Sequence, residues 1–326
     1  MKKTISIILS LLIITALFAS CGAPQSTNSG RLKIVTTIFP EYDWVRNILG
    51  DRADSTDLTL LLDTGVDLHS YQPTADDIIT ISTCDVFIYV GGESDAWVDD
   101  ALAQAVNKNM VVINLLDVLG DKVREEEIKE GMQAEEEEAG EAEEDEGPEY
   151  DEHVWLSLKN AAYICNYISE KLCEADPANK DVYTANADAY VEKLNALDGQ
   201  YKAAIDSAET KTLVFCDRFP FRYLVDDYGL DYYAAFVGCS AESEASFETV
   251  TFLAGKVKES GVKNIVVLEG SDGKIADTVI KTSGAEGVGT VTLNSMQSVT
   301  AADIENGADY ISIMTDNLEN LKTILG

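Results

Sequence analysis

The chain has 326 residues, with 58 acidic side chains against 24 lysines and arginines, a formal net charge of −34 and only two histidines. So acidic a surface excludes nucleic acid as a partner, because phosphate recognition needs cationic faces. Six cysteines, one of them beside an N-terminal apolar run and none in a CxxC pair, do not make a disulfide framework.

Residues 1–20, MKKTISIILSLLIITALFAS, have two lysines, an apolar run and then small residues, the pattern of a secretory signal. The run is short for the roughly 20 residues a membrane span needs. Leu17-Phe18-Ala19-Ser20-Cys21 resembles a lipobox, with Phe18 an unusual occupant of its first position. Acylation of Cys21 is therefore expected, with residues 21–31 as a polar tether. That places the protein outside the cytoplasm, lipid-anchored on the outer face of the membrane.

The remainder is long enough for two domains. Apolar runs at 32–39, 58–62, 84–91 and 110–116 read as strands, separated by helical patterns at Glu41–Leu49, Ala75–Ser82 and Trp97–Asn107. Strands alternating with helices of this length imply βαβ units and a parallel sheet buried on both faces. Residues 125–152 contain 16 acids and one lysine, so they contribute −15 of the net charge. That composition predicts a mobile, solvated loop. A helix over 157–174 and a longer one over 180–208 follow, the latter with Tyr183, Ala187, Tyr190, Leu194 and Leu197 at three- and four-residue steps. Four more strand-like runs, at 212–216, 232–238, 264–270 and 289–294, repeat the alternation, and a last helix is expected over 301–325. The expected organisation is α/β: an N-terminal lobe over 32–175, a linking helix over 176–209 and a C-terminal lobe over 210–326. Cys165 and Cys173 share one helical pattern and cannot close a bridge within a straight helix. With Cys84 they read as small core residues.

His69 lies in DTGVDLHSYQPTADD, after one strand and before a helix that Thr74 should cap, a junction where α/β proteins place binding groups. His153, in YDEHVWLSLKNA, also precedes a helix. Imidazole is the commonest metal side chain, but the two are too far apart in sequence for spacing alone to join them.

Together the two stretches carry a resemblance. HSYQPTADD resembles the HxYEPTPxD segment of cluster A-I solute-binding proteins, the zinc and manganese receptors of bacterial ABC importers, and DEHVWLSLKNA resembles their DPHVWLDPKNA segment. IVTTIFPEYDWVRNILGD (34–51), DVFIYVGGESDAWV (85–98), FRYLVDDYGL (221–230) and CSAESEAS (239–246) match four further segments in the same order. The resemblance implies two parallel-sheet lobes joined by one rigid helix. It also implies a divalent metal, Zn²⁺ ahead of Mn²⁺, held in the cleft between them as transported ligand, and a permease of an ABC importer as partner. A monomer without enzymatic activity is implied as well. The adhesive role claimed for some relatives has no residue here that carries it.

In that family two N-lobe histidines ligate the metal, and His69 and His153 match them. The third ligand, His or Glu, heads the HxAFxYL segment. Here CDRFPFRYL places Arg218 there without a gap, and Asp217 or Cys216 with one or two inserted residues. The fourth, a carboxylate, lies on the last strand loop, where LNSMQS offers Asn294 or Gln297 instead. Asp217 and Glu269, each ending an apolar strand, are the expected C-lobe ligands, ahead of Cys216. Because Arg218 suits an anion, a second reading is a binding protein of the same fold whose altered C-lobe takes a metal chelate or other anionic ligand. A hydrolase reading finds neither a GxSxG nor an HExxH signature.

The anchor is directly testable. Cys21→Ser should release the protein from the membrane fraction or leave the precursor unprocessed. Wild-type protein recovered soluble and without a fatty acyl group would refute the lipobox assignment.

Overall fold

A computed structural model describes residues 30–133, 149–240 and 244–326. Among them, β1 (Lys33–Thr36), β2 (Asp57–Leu60), β3 (Val86–Tyr89) and β4 (Val111–Asn114) form an all-parallel sheet in the order β2-β1-β3-β4. Helices α1 (Phe39–Leu49), α2 (Ala75–Thr83), α3 (Val98–Ala103) and α4 (Leu115–Leu119) join and follow the strands. Thr74 caps α2 as expected, in a reciprocal capping box with Asp77. A second parallel sheet, β6-β5-β7-β8, is built from β5 (Thr212–Phe215), β6 (Asp231–Ala234), β7 (Asn264–Leu268) and β8 (Gly289–Leu293). In both sheets the first strand lies between its second and third. The strand order therefore reverses beside it, and loops at the carboxyl ends of the strands open into a crevice there.

Between the sheets in sequence come α5 (Leu158–Ala175) and α6 (Lys180–Asp206), the latter 27 residues long. Asp176-Pro177 separates them, since proline disfavours a helical residue before it and lacks an N–H. Tyr183, Ala187, Tyr190, Leu194, Leu197, Tyr201 and Ile205 form the buried stripe of α6. That stripe reaches both lobes. The Tyr190 hydroxyl donates to Asp43 on α1 (3.1 Å), and Tyr201 donates to the Met314 carbonyl (2.5 Å). One apolar core runs along the helix from Ile34 to Leu325, and a second, smaller one fills the outer side of the C-lobe sheet.

The C-terminal lobe is completed by α7 (Arg222–Tyr228), α8 (Phe247–Ser260), α9 (Lys274–Ser283), α10 (Ala301–Glu305) and α11 (Tyr310–Leu325). The final helix expected as one piece is two. Gly307 adopts a φ of 95°, which a side chain would strain, and Asp309 restarts the helix by accepting from the Ser312 amide. Tyr310 then ties the lobes together, because its amide donates to Asp43 and its hydroxyl to the Trp155 carbonyl (2.6 Å).

The acidic stretch differs from expectation at both ends. Glu126 accepts from the Cys239 amide, Glu127 pairs with Arg222, Lys129 pairs with Asp231, and the Gln133 amide donates to the Ala235 carbonyl. Asp151 and Glu152 are buried. Composition alone overlooked these partners: a carboxylate facing an arginine or a free amide gains a charge-assisted bond that opposes the ordering entropy. The part of the stretch over 134–148 lies outside the described residues, as do the signal expected over 1–20 and all but the last two residues of the tether expected over 21–31.

Two buried carboxyls in the N-lobe make stability depend on pH. Glu41 accepts from Thr37 and Ile38, yet burial and the neighbouring Asp95 push it up to about 8. Burial pushes Asp95 up to about 7. Both lie above their unfolded values, so the folded state holds more protons between them. The stabilisation is complete at low pH and is lost as pH rises through the folded values. In chelator, the melting midpoint should be lower at about pH 8.5 than at about pH 5.5, and Glu41→Gln should shrink that difference. An undiminished difference in the variant would mean that Glu41 does not titrate in this window.

Candidate metal site

β2 delivers the chain to a one-turn helix, Leu68–Ser70, whose cap is Asp67; one oxygen of Asp67 accepts from the His69 amide at 3.0 Å. His153 sits just ahead of a second single turn, Val154–Leu156. Asp151, two residues earlier, accepts from the His153 amide at 2.9 Å and lies 3.1 Å from its ring Nδ1. These short turns present both rings to one point. His69 Nε2 and His153 Nε2 are 3.1 Å apart.

The outer ring nitrogens settle the tautomers. A carboxylate only accepts, so His153 Nδ1 carries a proton, and in the neutral ring Nε2 keeps its lone pair. His69 Nδ1 lies 2.7 Å from Ser94 Oγ and 3.6 Å from Glu152 Oε2, which calls for a proton there too. Burial, then the adjacent His153 ring, pushes His69 down to about 3, so the ring is neutral at ordinary pH. Two lone pairs thus face each other. Zinc–nitrogen bonds of about 2.0–2.1 Å place two tetrahedral nitrogens about 3.3 Å apart, close to the observed gap. The Asp151 carboxylate and the Ser94 hydroxyl, each at an Nδ1, are the kind of orienting partners that metal-bound imidazoles use.

From the C-lobe, Gln297 brings its side-chain amide 3.0 Å from His153 Nε2 and 3.1 Å from Ser295 Oγ. The Ser295 hydroxyl has one proton, and its 2.6 Å contact to Glu269 takes it. The amide NH₂ faces the His153 lone pair and its oxygen faces Ser295; turning the amide over would present the oxygen to a cation at the imidazoles and the NH₂ to the Ser295 oxygen. The third close group is Cys239: its sulfur and a nitrogen from each histidine all lie within 4.8 Å of one another. Burial, with Asp151 next, raises the Cys239 thiol far above its usual value, so without a cation it is protonated.

The other expected ligands face elsewhere. Asp217 accepts from the Arg218 and Leu268 amides, and Glu269 accepts from the Ser295 amide at 2.8 Å as well as its hydroxyl. Neither belongs to the close group, which among the described residues is His69, His153 and Cys239. Cys216 is buried in the outer C-lobe core. Arg218 donates to Asp67 at 2.6 Å and to the Ser240 carbonyl, so its charge is already matched by the loop that carries His69. Sequence reasoning missed Ser94, Asp151, Glu152 and Cys239. An unpaired cysteine immediately after an apolar strand-like run was the one available signal for the last.

The family described as "Zinc-uptake complex component A periplasmic" (ZnuA) matches residues 34–324. The chain belongs to this family. It is 33 % identical to the zinc-binding lipoprotein AdcA of Streptococcus pneumoniae over 320 residues, covering 98 % of this chain and 60 % of that protein. It is also 32 % identical to the high-affinity zinc uptake system protein ZnuA of Bacillus subtilis, over 97 % of both. The crystal structure of the Zn(II)-bound ZnuA-like domain of S. pneumoniae AdcA superposes with a TM-score of 0.69 at 30 % identity, covering 91 % of this chain and 99 % of that one. The chain thus spans about 60 % of the length of the AdcA relatives. The two-lobed parallel α/β fold expected from sequence is the fold of these neighbours. ZnuA-family membership does not favour the altered-ligand alternative, and the engagement of Arg218 by Asp67 removes the free cation on which it rested.

Gly238 sets the position of His153. A Cβ there would stand 3.0 Å from His153 Cε1 and 2.8 Å from the Phe219 carbonyl oxygen. Gly238→Ala should push the ring off its line to His69 and weaken zinc binding about tenfold or more, the size of loss that outer-shell changes produce. Titration calorimetry giving wild-type affinity would show that the ring tolerates the methyl group.

Proposed function

We propose that this chain is an extracytoplasmic receptor that holds one zinc ion between its lobes and hands it to the permease of an ABC importer. The observation that carries the reading is the 3.1 Å approach of His69 Nε2 and His153 Nε2, with both Nδ1 atoms tied to orienting partners. With each Nδ1 held by a partner, each Nε2 is left to offer its lone pair to a cation at the point where the rings converge. The names of the AdcA and ZnuA relatives support zinc as that cation, and the lipoprotein among them supports Cys21 as the acylated anchor. In this reading His69 and His153 are the N-lobe ligands, and Asp217 and Glu269 organise C-lobe loops around the ion.

The protein binds and releases; it does not turn over. The description of the matching family is of zinc uptake, and His153 is held by a carboxylate and an amide. Arg218, paired across the cleft with Asp67, links the loop that holds His69 to the C-lobe. Capture and release of the ion therefore act on both lobes at once.

His69→Ala and His153→Ala should each weaken zinc binding by orders of magnitude, and the double variant should add little, because either change already opens the site. Lys202→Ala, paired on the exposed face of α6 with Asp206, should change nothing. Calorimetry at fixed pH decides this, and unchanged zinc affinity in both histidine variants would sink the receptor reading.

A further inference from the structure

We propose that Cys239 is the third ligand of the metal and the residue that makes this site select zinc over manganese. The inference rests on the receptor reading above and deepens it by naming a ligand from the C-lobe. Its basis is the position of the sulfur, within 4.8 Å of nitrogens of both His69 and His153.

The loop that carries Cys239 is held from three directions. Glu126 accepts from the Cys239 amide at 3.1 Å. Arg218 donates to the Ser240 carbonyl and pairs with Asp67, so the residue after Cys239 is linked to the loop of His69. Gly238, immediately before it, lies against the His153 ring so closely that a Cβ would meet Cε1 at 3.0 Å. Cys239 is thus placed at the histidines by contacts on both sides of it in the chain.

A tetrahedral zinc with bonds of about 2.0–2.1 Å to nitrogen and about 2.3 Å to sulfur spaces nitrogen and sulfur about 3.5 Å apart. Closing the gap takes an inward movement of no more than about 1.3 Å, within reach of a side-chain rotation. Binding exchanges the thiol proton for the metal: the S–H bond breaks, the proton leaves to solvent, and the sulfur lone pair forms the bond to zinc. Gln297, 3.0 Å from His153 Nε2, completes four positions with a neutral oxygen once its amide turns over toward the ion. The ligand set then carries a single negative charge, supplied by sulfur. The carboxylates of Asp151, Glu152 and Glu126 lie around it and balance the remaining charge of a divalent ion.

A thiolate changes which metal is favoured. Soft sulfur suits zinc, whereas manganese prefers an oxygen-rich, six-coordinate set that two imidazoles, a thiolate and one amide do not offer. Cys239 would therefore supply the discrimination as well as the charge.

Cobalt(II) is the probe, because it takes tetrahedral zinc sites and a sulfur–cobalt bond gives a near-ultraviolet charge-transfer band. Purified protein loaded with one equivalent of cobalt should show that band, and Cys239→Ser should lose it while keeping its melting transition. The same variant should bind zinc about a hundredfold more weakly, with manganese affinity changed by only a few-fold. Zinc should also protect Cys239 from alkylation, read by peptide mapping, while half-buried Cys173 reacts equally with and without metal. If Cys239→Ser does not fold, the wild-type band and the alkylation pattern still decide. One equivalent of cobalt bound without the band, or Cys239 alkylated at the same rate with zinc present, overturns the thiolate ligand and leaves the receptor standing if the histidine variants lose zinc. Wild-type protein that takes up neither cobalt nor zinc overturns both.

Discussion

With a proton on each Nδ1 and none on either Nε2, two imidazole nitrogens 3.1 Å apart repel each other in a buried site, and the molecule is arranged to hold them there. The Asp151 carboxylate fixes one tautomer, and Ser94 with Glu152 fixes the other. The Glu152 oxygen nearest His69 makes no hydrogen bond that meets ordinary geometry, and buried polar atoms in that state mark strain or function. A cation at the convergence point relieves the repulsion and turns each of these partners into an orienting group. The site is thus more complete with an ion than without one, which is the condition a receptor needs in order to bind tightly without rearranging its fold.

The frame that keeps this arrangement rigid is the inter-lobe core. Asp43 receives hydrogen bonds from Tyr190 on α6 and from the amide of Tyr310, while Tyr310 reaches back to the carbonyl of Trp155, two residues from His153. Trp155 in turn donates to the Ser295 carbonyl, two residues from Gln297. One continuous chain of bonds therefore runs from the linking helix, through the short turn of His153, to the C-lobe loop that faces it. Desolvation raises Asp43 to about 6 even with these donors, so part of the cost of holding the lobes together is carried by a carboxyl in the core.

Much of this was legible in the sequence, for physical reasons. The alternation of apolar runs and helical patterns gave both sheets, since a parallel strand buried on two faces has to be continuously apolar. The stripe at three- and four-residue steps gave the linking helix, and Thr74 with Asp77 gave the start of α2. His69 and His153 stood out because the chain has no others. Other features were not legible, for a shared reason. Asp217 and Glu269 end strands just as a cleft ligand would, but nearby backbone amides claim both carboxylates, and no sequence pattern displays which amides a loop leaves open. The acidic stretch reads as solvated by composition, yet its ends meet Arg222, Lys129's partner Asp231 and the edge near Phe236, contacts nearly a hundred residues away in the chain.

Arg218 shows how a departure from a family pattern can be structural. At a position where the resembled proteins place a ligand, a guanidinium cannot bind a metal, and read alone it points to an anionic ligand. Its partner is instead Asp67, the cap of the His69 turn, at 2.6 Å across the cleft. With both side chains partly buried, the pair is held more firmly than an exposed bridge, and the arginine's second contact, to Ser240, draws in the loop of Cys239. The arginine at this position thus ties the loop of Cys239, after β6, to the turn that carries His69.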